Sequence, residues 1–128
     1  MRYIATEEIL LIHERIVDIV GGRQGIRDTN LLQSITLRAQ TAVFGEQQYK
    51  TVFEKAAVYL QSIAQYHVFI DGNKRTAIAV AARFMYVNRH ELQATNAELE
   101  KFTLRVVEEK LDIPELAAWF EQNTKTLA

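Results

Sequence analysis

The amino-acid sequence predicts an all-α fold, a compact bundle of helices packed around one buried central helix. Several segments place apolar residues three and four positions apart, which is the spacing of an amphipathic helix. No convincing alternation of apolar and polar residues, the pattern of a half-buried strand, occurs in the chain. Residues 76–87, TAIAVAARFMYV, are apolar on all sides apart from Thr76 and Arg83, which indicates a helix surrounded by others.

Three helices are predicted before this buried one. Residues 6–20 carry apolar side chains at helical spacing behind Thr6, a candidate helix cap. The GGRQG stretch at 21–25 ends that helix, and it predicts a turn rather than a phosphate-binding loop because it follows no strand and lacks a GK[ST] continuation. Asp28 predicts the cap of a second helix. A third helix with the same periodicity runs up to residue 64.

The remaining segments complete a single predicted domain. Residues 39–50 are less periodic and predict a loop or a short hairpin around Gly45. Two more amphipathic helices are expected near residues 96–110 and from Pro114, a residue suited to a first helical turn. Because the chain lacks a low-complexity linker and is long enough for one hydrophobic core, we expect one domain over residues 1–128.

The composition limits the classes of partner. Fifteen basic and sixteen acidic residues give a formal charge of −1, so the sequence predicts neither direct nucleic-acid binding nor attraction to an anionic membrane. The absence of cysteine excludes disulfides and thiolate metal sites. Charged residues interrupt the apolar N-terminal stretch, so it matches neither a signal peptide nor a membrane span, and we expect a cytoplasmic protein.

The stretch HVFIDGNKR, residues 67–75, concentrates polar chemistry immediately before the buried helix. A helix N-terminus presents unpaired N–H groups and the positive end of the helix dipole, so the turn containing Gly72 and Asn73 is a natural anion site. Lys74 and Arg75 add two cations at the same place. Together these features predict a site for a polyphosphate.

Two further side chains of the stretch fit nucleotide chemistry. Asp71 suits magnesium bound with a nucleotide, because that ion commonly takes one or two carboxylates and completes its coordination with phosphate and water. His67 is the candidate general base, since imidazole exchanges a proton near neutral pH. The same residues also fit a structural interpretation, in which Asp71 or Asn73 caps the next helix, Gly72 supplies a turn and His67 hydrogen-bonds a carbonyl group.

Four other residues are interpreted as structural. His13 and His90 have no partner at metal-ligand spacing, so they predict surface or capping histidines. Arg83 lies inside the buried helix and needs a partner, for which we expect a structural ion pair. Trp119 predicts either core packing or a partner surface.

The stretch HVFIDGNKRTA resembles the signature HxFx(D/N)(G/A)N(G/K)R of the Fic/Doc proteins, and its lysine is typical of the Doc, or death-on-curing, branch. The segment GIRDTNLLQSITLRAQ and the apolar helix after the motif are similar to the Doc layout, so the resemblance covers roughly residues 4–92. It implies an α-helical toxin of a type II toxin–antitoxin system that uses ATP and magnesium to modify a hydroxyl of a bacterial protein. In Doc-like members the γ-phosphate passes to a threonine of elongation factor Tu.

The resemblance also implies a role for each matched residue. Phe69 is expected to anchor the motif, and residues 39–50 are expected to form a flap that docks the target. The polar residues are expected to be the base His67, the magnesium ligand Asp71, the phosphate cradle Gly72 and Asn73, and the transition-state cations Lys74 and Arg75.

Two departures distinguish this chain from the adenylylating Fic pattern GNGRxxR: Lys74 replaces the second glycine, and Ile78 replaces the second arginine. The lysine is expected to obstruct the backbone nest for the distal phosphates, and Ile78 removes a cation that would hold the γ-phosphate there. A reversed nucleotide that presents its γ-phosphate to His67 is therefore the better hypothesis, and the chemistry becomes phosphoryl transfer.

Regulation and the alternative functions follow from the same comparison. No glutamate in the chain precedes glycine or asparagine, so the inhibitory helix resembling (S/T)xxxE(G/N) is absent. We expect a separate antitoxin that lays a helix into a groove near the site. Two alternatives stay open, a Fic-like adenylyl transferase and a catalytically inactive Doc-fold protein that binds an antitoxin.

Overall fold

The computed structural model describes residues 1–128 and contains six helices and two short pairs of antiparallel strands. The helices are α1 (Thr6–Val20), α2 (Thr29–Ala39), α3 (Val52–Ala64), α4 (Asn73–Val87), α5 (Asn96–Glu109) and α6 (Ile113–Gln122). The strands are β1 (Ala42–Val43), β2 (Glu46–Gln47), β3 (His90–Leu92) and β4 (Thr124–Thr126). The predicted all-α class is confirmed, and all six helices were expected from the sequence.

The most completely buried helix is α3 rather than α4. Eleven of the 13 residues of α3 are buried, whereas α4 keeps Tyr86 exposed and Ile78 and Ala79 half-buried. The prediction that the helix over 76–87 is surrounded on every side is therefore wrong. Ala79 and Ala82 face partly toward solvent while Ala77 and Ala81 are buried, so apolar composition alone did not identify the central helix. The polar residues of α3, including the fully buried Lys55, gave its sequence the pattern of an amphipathic helix.

Helix ends follow the expected chemistry at most positions. The Asp28 side chain accepts a hydrogen bond from the Leu31 N–H at 2.9 Å, so the predicted cap of α2 is confirmed. Thr6 is not a cap, because α1 begins at Thr6 itself and its cap position is Ala5, which makes no side-chain bond. Helix α4 begins at Asn73, so the end of the polar motif forms its first turn.

The 39–50 segment contains the predicted hairpin. Strands β1 and β2 pair with Val43 opposite Glu46, and Phe44 and Gly45 between them have φ of 51° and 80°. This sign of φ at both central residues is that of the tight turns favoured in hairpins. The Phe44 side chain stands fully in solvent at the tip of the hairpin.

The second strand pair was not predicted. Strands β3 and β4 pair with Glu91 opposite Lys125, and they bring the C-terminal segment beside the end of α4. Three-residue strands are too short for alternation to register in the sequence. Arg83 Nε donates to Glu8 Oε2 at 3.0 Å, so the ion pair expected for this arginine is confirmed. None of the helices has the length and apolar character needed to cross a membrane.

Candidate active site

The polar motif forms the loop between α3 and α4 together with the first turn of α4. A shallow cleft of about 320 Å³ opens at this point. Its lining consists entirely of motif residues, namely His67, Ile70, Asp71, Gly72, Asn73, Lys74 and Arg75. All six residues singled out from the sequence therefore border one surface cleft.

His67 presents an unengaged imidazole to this cleft. The residue is exposed, and neither of its ring nitrogens hydrogen-bonds within the chain, so the structural interpretation in which it bonds a carbonyl is not found. Its backbone has φ of 52°, a left-handed conformation that is uncommon outside glycine. Its carbonyl oxygen accepts a hydrogen bond from Arg27 Nε at 2.6 Å. The ring nitrogens are therefore free to hydrogen-bond a bound molecule.

Asp71 is held by two hydrogen bonds from other parts of the chain, one from a backbone N–H and one from a side chain. Its Oδ2 accepts a hydrogen bond from the Arg23 N–H at 2.7 Å, and its carbonyl oxygen accepts one from His13 Nε2 at 2.7 Å. Its other carboxylate oxygen has no partner in the chain, and the side chain does not cap α4. One oxygen thus fixes the carboxylate while the other stays available.

Gly72 creates a cluster of unpaired backbone donors. It is the cap residue of α4 with φ of 78°, and a Cβ there would lie 3.3 Å from Val17 Cγ2. No N–H group from Asp71 to Arg75 donates to an acceptor in the chain; the first helical bond is from Thr76 to the Gly72 carbonyl. Unpaired donors at a helix N-terminus, where the dipole is positive, favour an anion.

The side chain of Asn73 serves the loop itself. Its Oδ1 accepts a hydrogen bond from the Phe69 N–H at 2.9 Å, and its Nδ2 donates to the Phe69 carbonyl at 2.8 Å. The amide is buried, and its oxygen and one of its two Nδ2 hydrogens are engaged with Phe69, so the side chain chiefly holds the loop. Phe69 is fully buried, which fixes the middle of the motif in the core as expected of an anchor.

The two cations of the motif differ in their surroundings. Lys74 is exposed and forms no ion pair, whereas Arg75 Nη2 lies 3.7 Å from Glu100 Oε1 on α5. Both members of that pair are more than half exposed, so the contact is weak and easily exchanged for another anion. Arg75 also borders a second groove of about 250 Å³ between α1, α4 and α5, so it connects the two depressions.

Sequence reasoning missed two residues that support the motif. His13 was predicted as a surface or capping histidine, which is wrong: it is buried, and its ring stacks on Phe69 with centroids 3.7 Å apart. Its position four residues after Ile9 and four before Val17, on the buried face of α1, was the available signal. Arg27 carried no such signal, because its partners are carbonyl groups 39 and 40 residues away.

The GGRQG stretch ends α1 at its cap residue Gly21, as predicted, but it continues as an irregular segment rather than a turn, and that segment borders the site. A Cβ at Gly22 would lie 3.3 Å from the Cβ of Asp71, and the Gly25 carbonyl accepts a hydrogen bond from the Ile70 N–H at 3.1 Å. Gly22 has φ of 114° and Gly25 has φ of 134°, conformations that other residues rarely adopt. This segment therefore packs directly against the motif.

Comparison with known proteins identifies the class of protein that this fold and cleft define. A model of the Fic/DOC family matches residues 3–85, which include α1 to α3, the hairpin, the motif and most of α4. The chain belongs to the Fic/Doc family. Helices α5 and α6 and the second strand pair lie beyond the matched residues.

Two characterised relatives make the comparison more specific. The chain is 43% identical over 74 residues to the protein named Toxin Doc of Mycolicibacterium smegmatis, a match that covers 58% of this chain and 57% of that protein. It is 36% identical over 88 residues to the protein named Protein kinase doc of Escherichia phage P1, a match that covers 69% of each. The chain thus spans little more than half the length of the first relative and about two thirds of the second.

Proposed function

We propose that this chain is a Doc-type toxin that transfers the γ-phosphate of ATP to a hydroxyl group of a protein. The observation that carries the proposal is the free imidazole of His67 beside a run of unpaired backbone N–H groups in one cleft. Membership of the Fic/Doc family and similarity to proteins named as a Doc toxin and a Doc protein kinase support it.

His67 is proposed as the general base. An imidazole nitrogen that has no partner in the chain accepts the proton of the attacking hydroxyl while that oxygen forms its bond to the γ-phosphorus, the bond from that phosphorus to the bridging oxygen breaks, and ADP leaves. Such a base contributes about 10²- to 10⁴-fold to the rate, and the rest of the acceleration comes from positioning and charge stabilisation. The cleft supplies both through fixed backbone donors and two exposed cations.

The donor set of the cleft fits a nucleotide with magnesium. The unpaired N–H groups from Asp71 to Arg75 suit phosphate oxygens, and Lys74 and Arg75 suit the charge that spreads over them during transfer. The free oxygen of Asp71 suits magnesium. A nucleotide-bound magnesium ion is commonly held by one or two protein carboxylates, with phosphate oxygens and water as its other ligands. When bound, the ion neutralises phosphate charge.

The surroundings of position 78 support a reversed nucleotide. Ile78 lines an apolar groove with Ile16, Val20 and Leu99, so no cation stands where the adenylylating pattern has its second arginine. Lys74 projects from the first turn of α4 where that pattern has glycine. A nucleotide that places its γ-phosphate at His67 therefore fits these residues better than one that places its α-phosphate there.

The hairpin β1–β2 is proposed as the flap that docks the protein substrate. Both strands are exposed, and Phe44 offers a fully exposed aromatic side chain at the tip. An exposed strand edge binds an extended peptide through backbone hydrogen bonds, which would place a target hydroxyl for reaction. The substrate we propose is a threonine of a translation factor such as elongation factor Tu, so the toxin acts in the cytoplasm.

The groove beside Arg75 is proposed as the binding site of an antitoxin in a type II system. Its floor is apolar, with Ile16, Val20, Ile78 and Leu99, and Arg75 and Glu100 stand at its rim. This composition suits the apolar face of an amphipathic helix. Because Arg75 also borders the cleft, a helix seated there would interfere with phosphate binding.

Expression in a bacterial host tests the proposal. Inducing the native chain is expected to stop growth and protein synthesis, and His67→Ala is expected to abolish that effect while the purified variant keeps its helical circular dichroism. His90→Ala is the matched control, because His90 lies on β3 away from the cleft. Toxicity that survives in His67→Ala would exclude His67 as the base. A harmless native chain that still binds an antitoxin would favour the inactive alternative.

A further inference from the structure

We propose that Arg27 is a positioning residue for His67, and this inference rests on the proposed function. The Arg27 guanidinium donates two hydrogen bonds, from Nε to the His67 carbonyl at 2.6 Å and from Nη2 to the Tyr66 carbonyl at 2.7 Å. The two carbonyl groups belong to adjacent residues in the turn that follows α3. The planar guanidinium fork matches such a pair, whereas a lysine could not engage both in the same way.

The bonds from Arg27 belong to a longer set of contacts between residues 23–28 and residues 66–71. The Arg27 and Asp28 N–H groups donate to the Val68 carbonyl at 2.8 and 3.1 Å, and Ile26 forms a β-bridge with Phe69. Further along, the Gly25 carbonyl accepts from Ile70, and the Arg23 N–H donates to Asp71. Residues 23–28 therefore contact every residue from 66 to 71, which includes both the candidate base and the candidate magnesium ligand.

Few contacts hold His67 in place. Its imidazole forms no hydrogen bond within the chain, so no partner of the ring fixes the ring's position. The ring's position therefore depends on the backbone at residue 67, which has a φ of 52° that is unfavourable for a residue with a side chain. Arg27 is the sole partner of the His67 carbonyl. Removing the guanidinium therefore lets the backbone at residue 67 change conformation, and the imidazole moves with it.

A purely structural role for Arg27 predicts something different. Carbonyl groups just past a helix end lack helical partners, and an arginine that satisfies them stabilises the helix end. In that case Arg27→Ala would lower stability but leave the His67 ring in place in the folded molecules. A readout of the ring itself separates the two roles.

The histidine ring signals give that readout without any activity. The chain has three histidines, so a ¹³C–¹H NMR spectrum of the ring Cε1–H groups contains three signals, which single His→Gln variants assign. In folded Arg27→Ala we expect the His67 signal to shift or broaden and the His90 signal to stay unchanged. Arg105→Ala is the matched control, because it removes an exposed arginine from α5. An unchanged His67 signal in folded Arg27→Ala overturns the proposal.

Phosphoryl transfer gives the second readout. Misplacement of a reacting group by about 1 Å costs about 100-fold, so Arg27→Ala is expected to lower kcat by about 10- to 100-fold. The KM for ATP is expected to stay within about two-fold, because ground-state binding is not removed. Arg27→Lys keeps the charge, and its kcat is expected to lie between those of the native chain and Arg27→Ala. If Arg27→Ala fails to fold, the kcat of Arg27→Lys alone tests the proposal. Native kcat in every variant that folds overturns the proposal.

The two measurements separate failure of this inference from failure of the proposed function. If the native chain transfers no phosphate to any protein, the proposed function fails, while the His67 signal still tests the positioning by Arg27. If the native chain is active and the His67 signal is the same in folded Arg27→Ala as in the native chain, the inference alone fails.

Discussion

The rings of His13 and Phe69 lie face to face, with centroids 3.7 Å apart and planes 7° from parallel. From this position His13 Nε2 also donates to the Asp71 carbonyl at 2.7 Å. A buried histidine of α1 therefore supports two residues of the motif at once, one through stacking and one through a hydrogen bond. It links the first helix to the cleft.

Replacing His13 tests this support. His13→Phe keeps a flat ring but leaves the Asp71 carbonyl without its donor, so it is expected to lower the free energy of unfolding by about 1–3 kcal/mol. His13→Ala is expected to cost more, because it also leaves a cavity. Urea unfolding measures both. Glu14→Ala, at the next and exposed position, is expected to change little. A His13→Phe variant as stable as the native chain would contradict the role of the hydrogen bond.

Asn73 is expected to tolerate even an isosteric change poorly. Asn73→Asp keeps an oxygen to accept from the Phe69 N–H, but it replaces the donor to the Phe69 carbonyl by a second oxygen. An unsatisfied buried carbonyl costs about 1–3 kcal/mol, and a buried charge costs more. In the variant, stability is expected to recover as pH falls toward about 4, because the protonated carboxyl can donate. Equal stability of the variant at pH 7 and at about pH 4 would contradict this account.

Tyr59 is expected to make stability depend on alkaline pH. Burial raises the pKa of Tyr59 above its ordinary value of 10.0, although hydrogen bonds with Ile4 and Thr36 act in the opposite direction. Above pH 10 the unfolded chain therefore loses this proton before the folded chain does, and the free energy of unfolding falls with rising pH. Below that pH the contribution is fully present.

The variant Tyr59→Phe isolates this contribution. It removes the titrating hydroxyl, together with the hydrogen bond that the hydroxyl accepts from the Ile4 N–H at 3.0 Å. It is expected to be less stable at neutral pH, but to lose stability less steeply between about pH 9 and 11. Urea unfolding across that range compares the slopes, and parallel curves for the two proteins would rule out a measurable contribution from Tyr59.

Much of the fold was readable because helix periodicity and end signals act over short distances. The Asp28 cap and the helix bounds of α1 depend on residues a few positions apart, and both are visible in the sequence. The identity of the most buried helix could not be predicted in this way. The ammonium group of Lys55 donates a hydrogen bond to the Ala39 carbonyl at 2.8 Å, and Ala39 lies 16 residues away. A buried lysine with such a partner looks like a surface residue until the fold is known.

The candidate site likewise has one part that the sequence predicts and one part that it does not. The motif residues are contiguous, so the cleft that they line could be anticipated from a short segment. The hydrogen bonds from Arg27 and His13 could not, because both side chains reach across the fold to backbone carbonyl groups, although helix periodicity already placed His13 on the buried face of α1. Any residue type presents a carbonyl, so such contacts leave no pattern in the sequence of the acceptor.

The labelled phosphate that reaches a protein tests the central claim most directly. The purified chain and magnesium are incubated with a bacterial extract and with ATP that carries its label on the α-phosphate or on the γ-phosphate, and His67→Ala serves as the control. We predict protein labelling from the γ-labelled ATP alone, lost in His67→Ala. Labelling from the α-labelled ATP would mean adenylyl transfer, and no labelling from either would mean a protein that only binds its partner; both results would contradict the proposed kinase.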